Sequence, residues 1–217
     1  MIKYSRPDIS NLVRELSKGN KGANPAHFKK LLRTIRYVLS TRDRALFFRL
    51  DKNCRESDVW ELKSFCDSDF AGDKVKRISV TGFCIYLFGC LVSWKSHGRK
   101  SVTLSSTKAE YVAITELCCE IMFVKSILEF LGMKLKFPII VNCDNIGAIY
   151  LAYNAKTSQR TKHIDVKYHY VREYVEKGMI KIIFVRSEKN DADLWTKNLK
   201  EDTYVEHSSK FMKEMVT

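Results

Sequence analysis

The sequence predicts an α/β fold: a mixed sheet that opens with an antiparallel three-stranded meander, continues through alternating helices and strands, and carries helices on both faces. Two observations lead there. Between positions 60 and 95 three β-prone runs follow one another, the last two joined so closely through Gly89 that they read as a hairpin. From position 107 onward the period changes, and segments with apolar residues at helical spacing alternate with short apolar runs bounded by Gly or Pro.

The elements follow in order. Trp60 to Asp67, Ser79 to Phe88 and Cys90 to Lys95 form the meander. Thr107 to Leu131 is a long helix, because Ala113, Leu117, Ile121, Val124, Leu128 and Leu131 recur on one side and Gly132 follows its end. Pro138 to Asp144 is a short apolar strand that leads into a helix from about Asn145 to Tyr153. Lys162 to Lys177 is helical with Gly178 as its stop, Met179 to Arg186 is a strand, and Asp191 to Leu199 starts another helix. Upstream, Pro25 opens a helix through about Ser40, with Phe28, Leu31, Leu32, Ile35, Val38 and Leu39 on one side and Lys29, Lys30, Arg33 and Arg36 on the other. A basic face of this kind is more often simply solvated than bound to a phosphate backbone. The polar stretch Asp51 to Ser57 marks a boundary, so the chain divides into a helical segment 1–55, an α/β domain 56–200 and a helical tail 201–217.

Thirty-eight Lys plus Arg against 25 Asp plus Glu leave a formal charge of +13, which favours a polyanionic partner such as nucleic acid. An apolar content of 45% is enough for a sizeable core. The seven cysteines are an odd number without a C-x-x-C pair and read as reduced, mostly buried thiols. The N-terminus has no apolar targeting core and no run approaches the roughly 18 apolar residues of a membrane span, so the sequence reads as soluble and intracellular, with no membrane partner.

Within that frame Asp67, Glu110, Asp144 and Asp193 fall at two strand ends and in the first turns of two helices. In an open α/β sheet the carboxyl ends of strands share one crevice. Each acid also has an ordinary explanation. Thr107 to Glu110 has the spacing of a capping box, although Glu110 continues the apolar stripe of Ala113 and Leu117 toward the sheet. Asp144 could cap the next helix, Asp193 could favour a helix dipole, and Asp69 and Asp73 read better as turn formers. As a set, four acids converging in a basic protein call for hard cations, and paired Mg²⁺ about 3.5 to 4 Å apart, with Mn²⁺ as a substitute, suits phosphodiester cleavage. His27, His97, His163, His169 and His207 are too scattered for a zinc site. Neither a phosphate-binding Gly-rich loop nor a G-x-S-x-G elbow is present, and no small-molecule cofactor is expected.

At these residues the sequence resembles the ribonuclease H domain at the end of the Pol polyprotein of copia-type LTR retrotransposons. The resemblance runs through Cys66-Asp67-Ser68-Asp69-Phe70-Ala71-Gly72-Asp73, Arg77 to Ser79 and Thr81-Gly82-Phe83, then Trp94 and Leu104-Ser105-Ser106-Thr107-Lys108-Ala109-Glu110-Tyr111. It continues in Cys143-Asp144-Asn145 with Ala148-Ile149, in Arg160-Thr161-Lys162-His163-Ile164-Asp165, in Tyr168 to Glu173, and in Asn190-Asp191-Ala192-Asp193-Leu194-Trp195-Thr196-Lys197. Arg6-Pro7-Asp8-Ile9 and Ile35 to Leu39 look like the tail of the reverse transcriptase region upstream, while the Tyr-x-Asp-Asp motif of a polymerase core does not occur.

The resemblance implies a ribonuclease H-like fold, with Asp67, Glu110, Asp144 and Asp193 as catalytic, metal-binding acids. It implies the RNA strand of an RNA/DNA hybrid as substrate and the remainder of a reverse transcriptase as a partner. Phe70 and Asn198 depart from the Trp and Pro usual in the family, and neither change removes an acidic oxygen. For hybrid binding the expected residues are Ser105, Ser106, Thr107 and Asn145, placed to read 2′-hydroxyls, and Thr161, Lys162 and His163, placed at a helix start that favours phosphate. Ordinary helix capping explains the same residues equally well. An integrase or transposase core ranks low, because the acids run Asp, Glu, Asp, Asp. The non-enzymatic alternative is a Pol relic that binds nucleic acid without cleaving it.

Overall fold

The computed structural model describes residues 4–48, 59–70, 78–99, 105–154 and 162–215. The expected boundary at 51–57 and the motif residues Asp73, Arg77, Leu104 and Thr161 lie outside the described residues, and only the backbone of Lys162 and His163 is described.

A five-stranded sheet carries the molecule. Its strands β3 (Leu62–Asp69), β4 (Val80–Leu87) and β5 (Cys90–Gly98) form the antiparallel meander, and β7 (Ile139–Cys143) and β8 (Ile180–Phe184) extend it in parallel, giving the order β5-β4-β3-β7-β8. Leu87 and Cys90 close the expected hairpin through Phe88 and Gly89, both at positive φ (48° and 76°), as a two-residue turn matched to strand twist requires. Parallel pairing demands long crossovers. These are supplied by α3 (Ser106–Phe130) before β7, and by α4 (Ile146–Tyr153) and α5 (Lys162–Glu176) before β8.

Strand alternation divides the core in two. Leu62, Cys66, Phe83, Ile85 and Val141 face the α3–α5 layer, where Tyr111, Ile114, Leu117 and Ile121 are buried; each fully buried Leu or Ile contributes about 1.5–3 kcal/mol. On the opposite face Phe65, Cys84, Tyr86 and Leu91 pack under Leu194 and Trp195 of α6 (Asp193–Thr196) and under Phe211 and Met212. The described cysteines are free, and all except Cys119 are buried. Helices therefore lie on both faces, as the sequence predicts.

Two expectations need correction. The helix expected over Asp191 to Leu199 is a single turn, because Asn190 holds the loop down by donating to the Cys66 carbonyl (2.9 Å) and accepting from the Ala192 amide, and because the backbone turns extended at Lys197. The tail is helical only through α7 (Glu201–Ser208). It ends in β9 (Met212–Glu214), which pairs antiparallel with β1 (Arg44–Leu46), since a strand edge from the N-terminal segment is there to receive it. A short parallel pair, β2 (Val59–Trp60) with β6 (Lys134–Leu135), forms a separate two-stranded sheet.

The N-terminal segment holds on through polar contacts. Helix α1 (Ser10–Ser17) sends Asn11 to the Lys197 carbonyl at 2.8 Å and Arg14 to Ser96 at 3.0 Å. Buried Asp8 pairs with Arg6 and accepts from Tyr37 of α2 (Pro25–Ser40), whose hydroxyl also meets Tyr204. The apolar side of α2 does not turn inward: Phe28, Leu31, Leu32, Ile35 and Leu39 are exposed.

Candidate metal centre

The four acids arrive from four elements. Asp67 comes from the end of β3 and points to the α6 face, as Phe65 does two residues earlier. Glu110 comes from the second turn of α3, Asp144 directly follows β7, and Asp193 opens α6. One carboxylate oxygen from each of Asp67, Asp144 and Asp193 lies within 4.8 Å of the others, and Glu110, Cys143 and Asp144 form a second group of the same tightness. Asp144 belongs to both, so all four acids share one crevice at the sheet's carboxyl end. Asp69, half-buried at the last position of β3, belongs to neither group.

The capping explanations do not hold for Glu110 or Asp144. Ser105 is the N-cap of α3 and accepts from the Lys108 amide at 3.2 Å, which places Thr107 inside the helix. Glu110 is 6% exposed; its Oε1 accepts from the Ser68 amide across the gap to β3 at 3.1 Å, and its Oε2 finds no donor among the described residues. Helix α4 is capped by Asn145, which accepts from Ala148 at 2.9 Å, so Asp144 instead accepts from Ser187 at 2.6 Å. Ser105 and Asn145 thus do the capping work that sequence reasoning allowed them. Ser106 is exposed beside them, and the Thr107 side chain packs against Gly147, so the starts of α3 and α4 form one rim.

Several contributors carry no signal in the reading of the acids alone. Thr196 donates to Asp67 Oδ2 in a short hydrogen bond, and Lys197 Nζ lies 3.1 Å from Asp67 Oδ1 and 2.9 Å from Asp193 Oδ1. The i, i+4 spacing of Asp193 and Lys197 would have found the second pair. Arg99, also missed, is buried behind Glu110, where it donates to Thr81 Oγ1 (2.7 Å), Ser68 Oγ (3.2 Å) and the Ala109 carbonyl, tying β3, β4 and α3 together.

Burial and mutual repulsion disfavour the ionised acids. Burial, reinforced by Asp67, Cys143 and Asp144, pushes Glu110 up to about 10, and burial with the Asp67 charge pushes Asp193 up to about 7. Asp67 is also raised by burial, against the opposing pull of Lys197 and Thr196. Asp67, Asp144 and Asp193 offer an all-oxygen set, and the orphaned, buried Glu110 oxygen beside Asp144 and Cys143 adds a further hard donor, which fits a divalent cation such as Mg²⁺.

This arrangement has a consequence for stability. Carboxyls raised in the folded state contribute stability that is complete below their unfolded values near 4, and that is lost as pH rises through about 7 for Asp193 and about 10 for Glu110. Chelator-treated protein is therefore expected to melt at progressively lower temperature from pH 5 to pH 9, with Mg²⁺ opposing the fall most strongly at the alkaline end. Melting curves with and without Mg²⁺ check this. A flat metal-free profile would mean that the carboxyls are not desolvated.

The sheet order, the helices on both faces and the acids gathered at one strand end define a ribonuclease H-like α/β protein. Comparison with known proteins places it further. The chain is 33% identical over 209 residues to the retrovirus-related Pol polyprotein from transposon RE1 of Arabidopsis thaliana, covering 96% of this chain and 14% of that protein. It is 37% identical over 193 residues to the corresponding polyprotein from transposon TNT 1-94 of Nicotiana tabacum, covering 89% and 14%. The chain belongs to the retrovirus-related Pol polyproteins of transposons, and it spans about one seventh of the length of these relatives. Among solved structures it is similar to LC11-RNase H1 isolated from compost (16% identity, TM-score 0.47, 63% of this chain and 92% of that one). It is also similar to the same enzyme in complex with RNA/DNA hybrid (14% identity, TM-score 0.45, 63% and 94%). No protein-family model matches the chain. Among the described residues no helix is long and apolar enough to cross a membrane.

Proposed function

We propose that this chain is a retrotransposon-type ribonuclease H that hydrolyses the RNA strand of RNA/DNA hybrids with divalent cations, probe for probe Mg²⁺ first and Mn²⁺ as its substitute. The observation that carries this reading is the convergence of Asp67, Asp144 and Asp193 within 4.8 Å, with Glu110 joined to them through Asp144. These four acids hold the cations. Bound there, a pair of Mg²⁺ ions supplies charge for the phosphate transition state and for activation of water.

The chain's own residues do the rest. Arg99 and the Ser68 amide fix Glu110 from behind, Thr196 orients Asp67, and Ser187 orients Asp144. Ser105, Ser106, Thr107 and Asn145, on the rim formed by two helix starts, face the RNA strand; Thr161, Lys162 and His163 hold backbone phosphate. The formal charge of +13 supplies the sequence-independent grip. The remainder of a reverse transcriptase is the partner of the N-terminal segment, a reading supported by the match covering only 14% of a much longer Pol relative.

Incubating the purified chain with a hybrid labelled on its RNA strand tests the reading. Cleavage is expected with Mg²⁺ and none with chelator. Asp144→Asn is expected to lose cleavage while binding the hybrid nearly as well, because it removes a cation ligand and leaves the basic surface intact. Near wild-type turnover by that variant would remove Asp144 from the mechanism, and wild-type protein that binds hybrid without cutting it would leave a nucleic-acid-binding relic.

A further inference from the structure

We propose that Lys197 is a built-in counter-ion: its ammonium stands in the cation position between Asp67 and Asp193, holds the crevice together without metal, and swings out when a divalent cation enters. This inference rests on the metal-centre reading above. Lys197 Nζ is within 3.1 Å of Asp67 and 2.9 Å of Asp193, two of the three acids whose oxygens lie within 4.8 Å of one another. A cation ligated by both acids and an ammonium ion-paired to both compete for the same oxygens.

Asp67 explains why such a group is present. Its side chain is 1% exposed, and a carboxylate removed from water is strongly unfavourable unless paired. Lys197 satisfies it in the absence of metal, together with Thr196. The lysine also has a way out. Its side chain is 35% exposed and flexible, while its backbone is anchored by its own amide to the Asp193 carbonyl at 2.9 Å and by Asn11 to its carbonyl at 2.8 Å. Exchange therefore needs only side-chain rotation, and α6 with Asp193 stays in place. A divalent ion brings twice the charge of the ammonium into the same position, so it wins when its concentration suffices.

The test compares wild type, Lys197→Met and Lys197→Arg after removal of metal, using MgCl₂ titration by calorimetry and melting curves without metal. Lys197→Met is expected to bind Mg²⁺ about tenfold more tightly, equivalent to about 1.4 kcal/mol, and to melt lower without metal, with Mg²⁺ restoring it. Lys197→Arg, which keeps the charge, is expected to show neither change. If the methionine variant does not fold without metal, Lys197→Gln, whose amide retains a hydrogen bond, is expected to change affinity in the same direction. Unchanged or weaker Mg²⁺ binding by the neutral variants, with wild type binding normally, overturns the counter-ion role alone. Absence of Mg²⁺ binding by every protein overturns the metal-centre reading and this inference with it.

Discussion

Replacing Glu110 by Gln is expected to reduce Mg²⁺-dependent cleavage of a hybrid by about 10²-fold or more, the scale on which removal of a single preorganised electrostatic group acts, without destabilising the metal-free protein. The two halves of this prediction have separate causes. Glu110 is pushed up to about 10 by burial, so at pH 7 and without metal it is already a neutral acid, and Gln replaces one neutral group with another of the same shape. The Gln oxygen can still accept from the Ser68 amide, so metal-free stability is expected to change by less than about 1 kcal/mol. An amide is a poor ligand for a hard cation, so the rise in melting temperature produced by Mg²⁺ is expected to shrink as cleavage is lost. Rates on labelled hybrid and melting curves with and without Mg²⁺ measure both. A variant that keeps its turnover would remove Glu110 from the mechanism.

Gly82→Ala is expected to impair the same site from a position that carries no chemistry. In the β3–β4 register Gly82 stands opposite Asp67, and α6 lies directly over it. A β-carbon there would stand 2.6 Å from Thr196 Cγ2, 3.0 Å from Trp195 Cβ and 3.1 Å from the Ala192 carbonyl oxygen. Trp195 is fully buried and stacked on Phe211, so it has no room to yield, and the turn must lift as a unit. Overpacking of this kind costs about 1–3 kcal/mol. Lifting α6 also draws Thr196, Lys197 and Asp193 away from Asp67, so cleavage and Mg²⁺ affinity are expected to fall further than stability alone would cause. Gly22→Ala is the control, because a β-carbon there meets nothing within 4 Å. Equal rates for Gly82→Ala and wild type would show that α6 tolerates displacement without loss of the site.

Much of this protein is determined by short-range pattern. Alternation and helical spacing place β3, β4, β5, α3, α4, α5, β7 and β8 close to their observed limits, because each of these elements buries one well-marked face and its ends carry Gly, Pro or a capping residue. The four acids are also legible, since their positions at strand ends and helix starts follow from those same limits.

What only the tertiary structure decided depends on partners distant in sequence. Glu110 and Asp144 look like caps until Ser105 and Asn145 are seen to hold those positions. The late helix stops after one turn because Asn190 is bonded to β3, 124 residues away, and the tail turns to strand because β1 offers it an edge. Local periodicity marks an apolar side on α2, yet it cannot say whether anything covers that side, and here Tyr37 and buried Asp8 make the attachment while Phe28 and Leu39 stay exposed. Lys197 is the clearest case. Its charge is evident in the sequence, but its position between two carboxylates exists only once β3 and α6 meet, because electrostatic interaction depends on separation in space and on burial, which the order of residues does not specify.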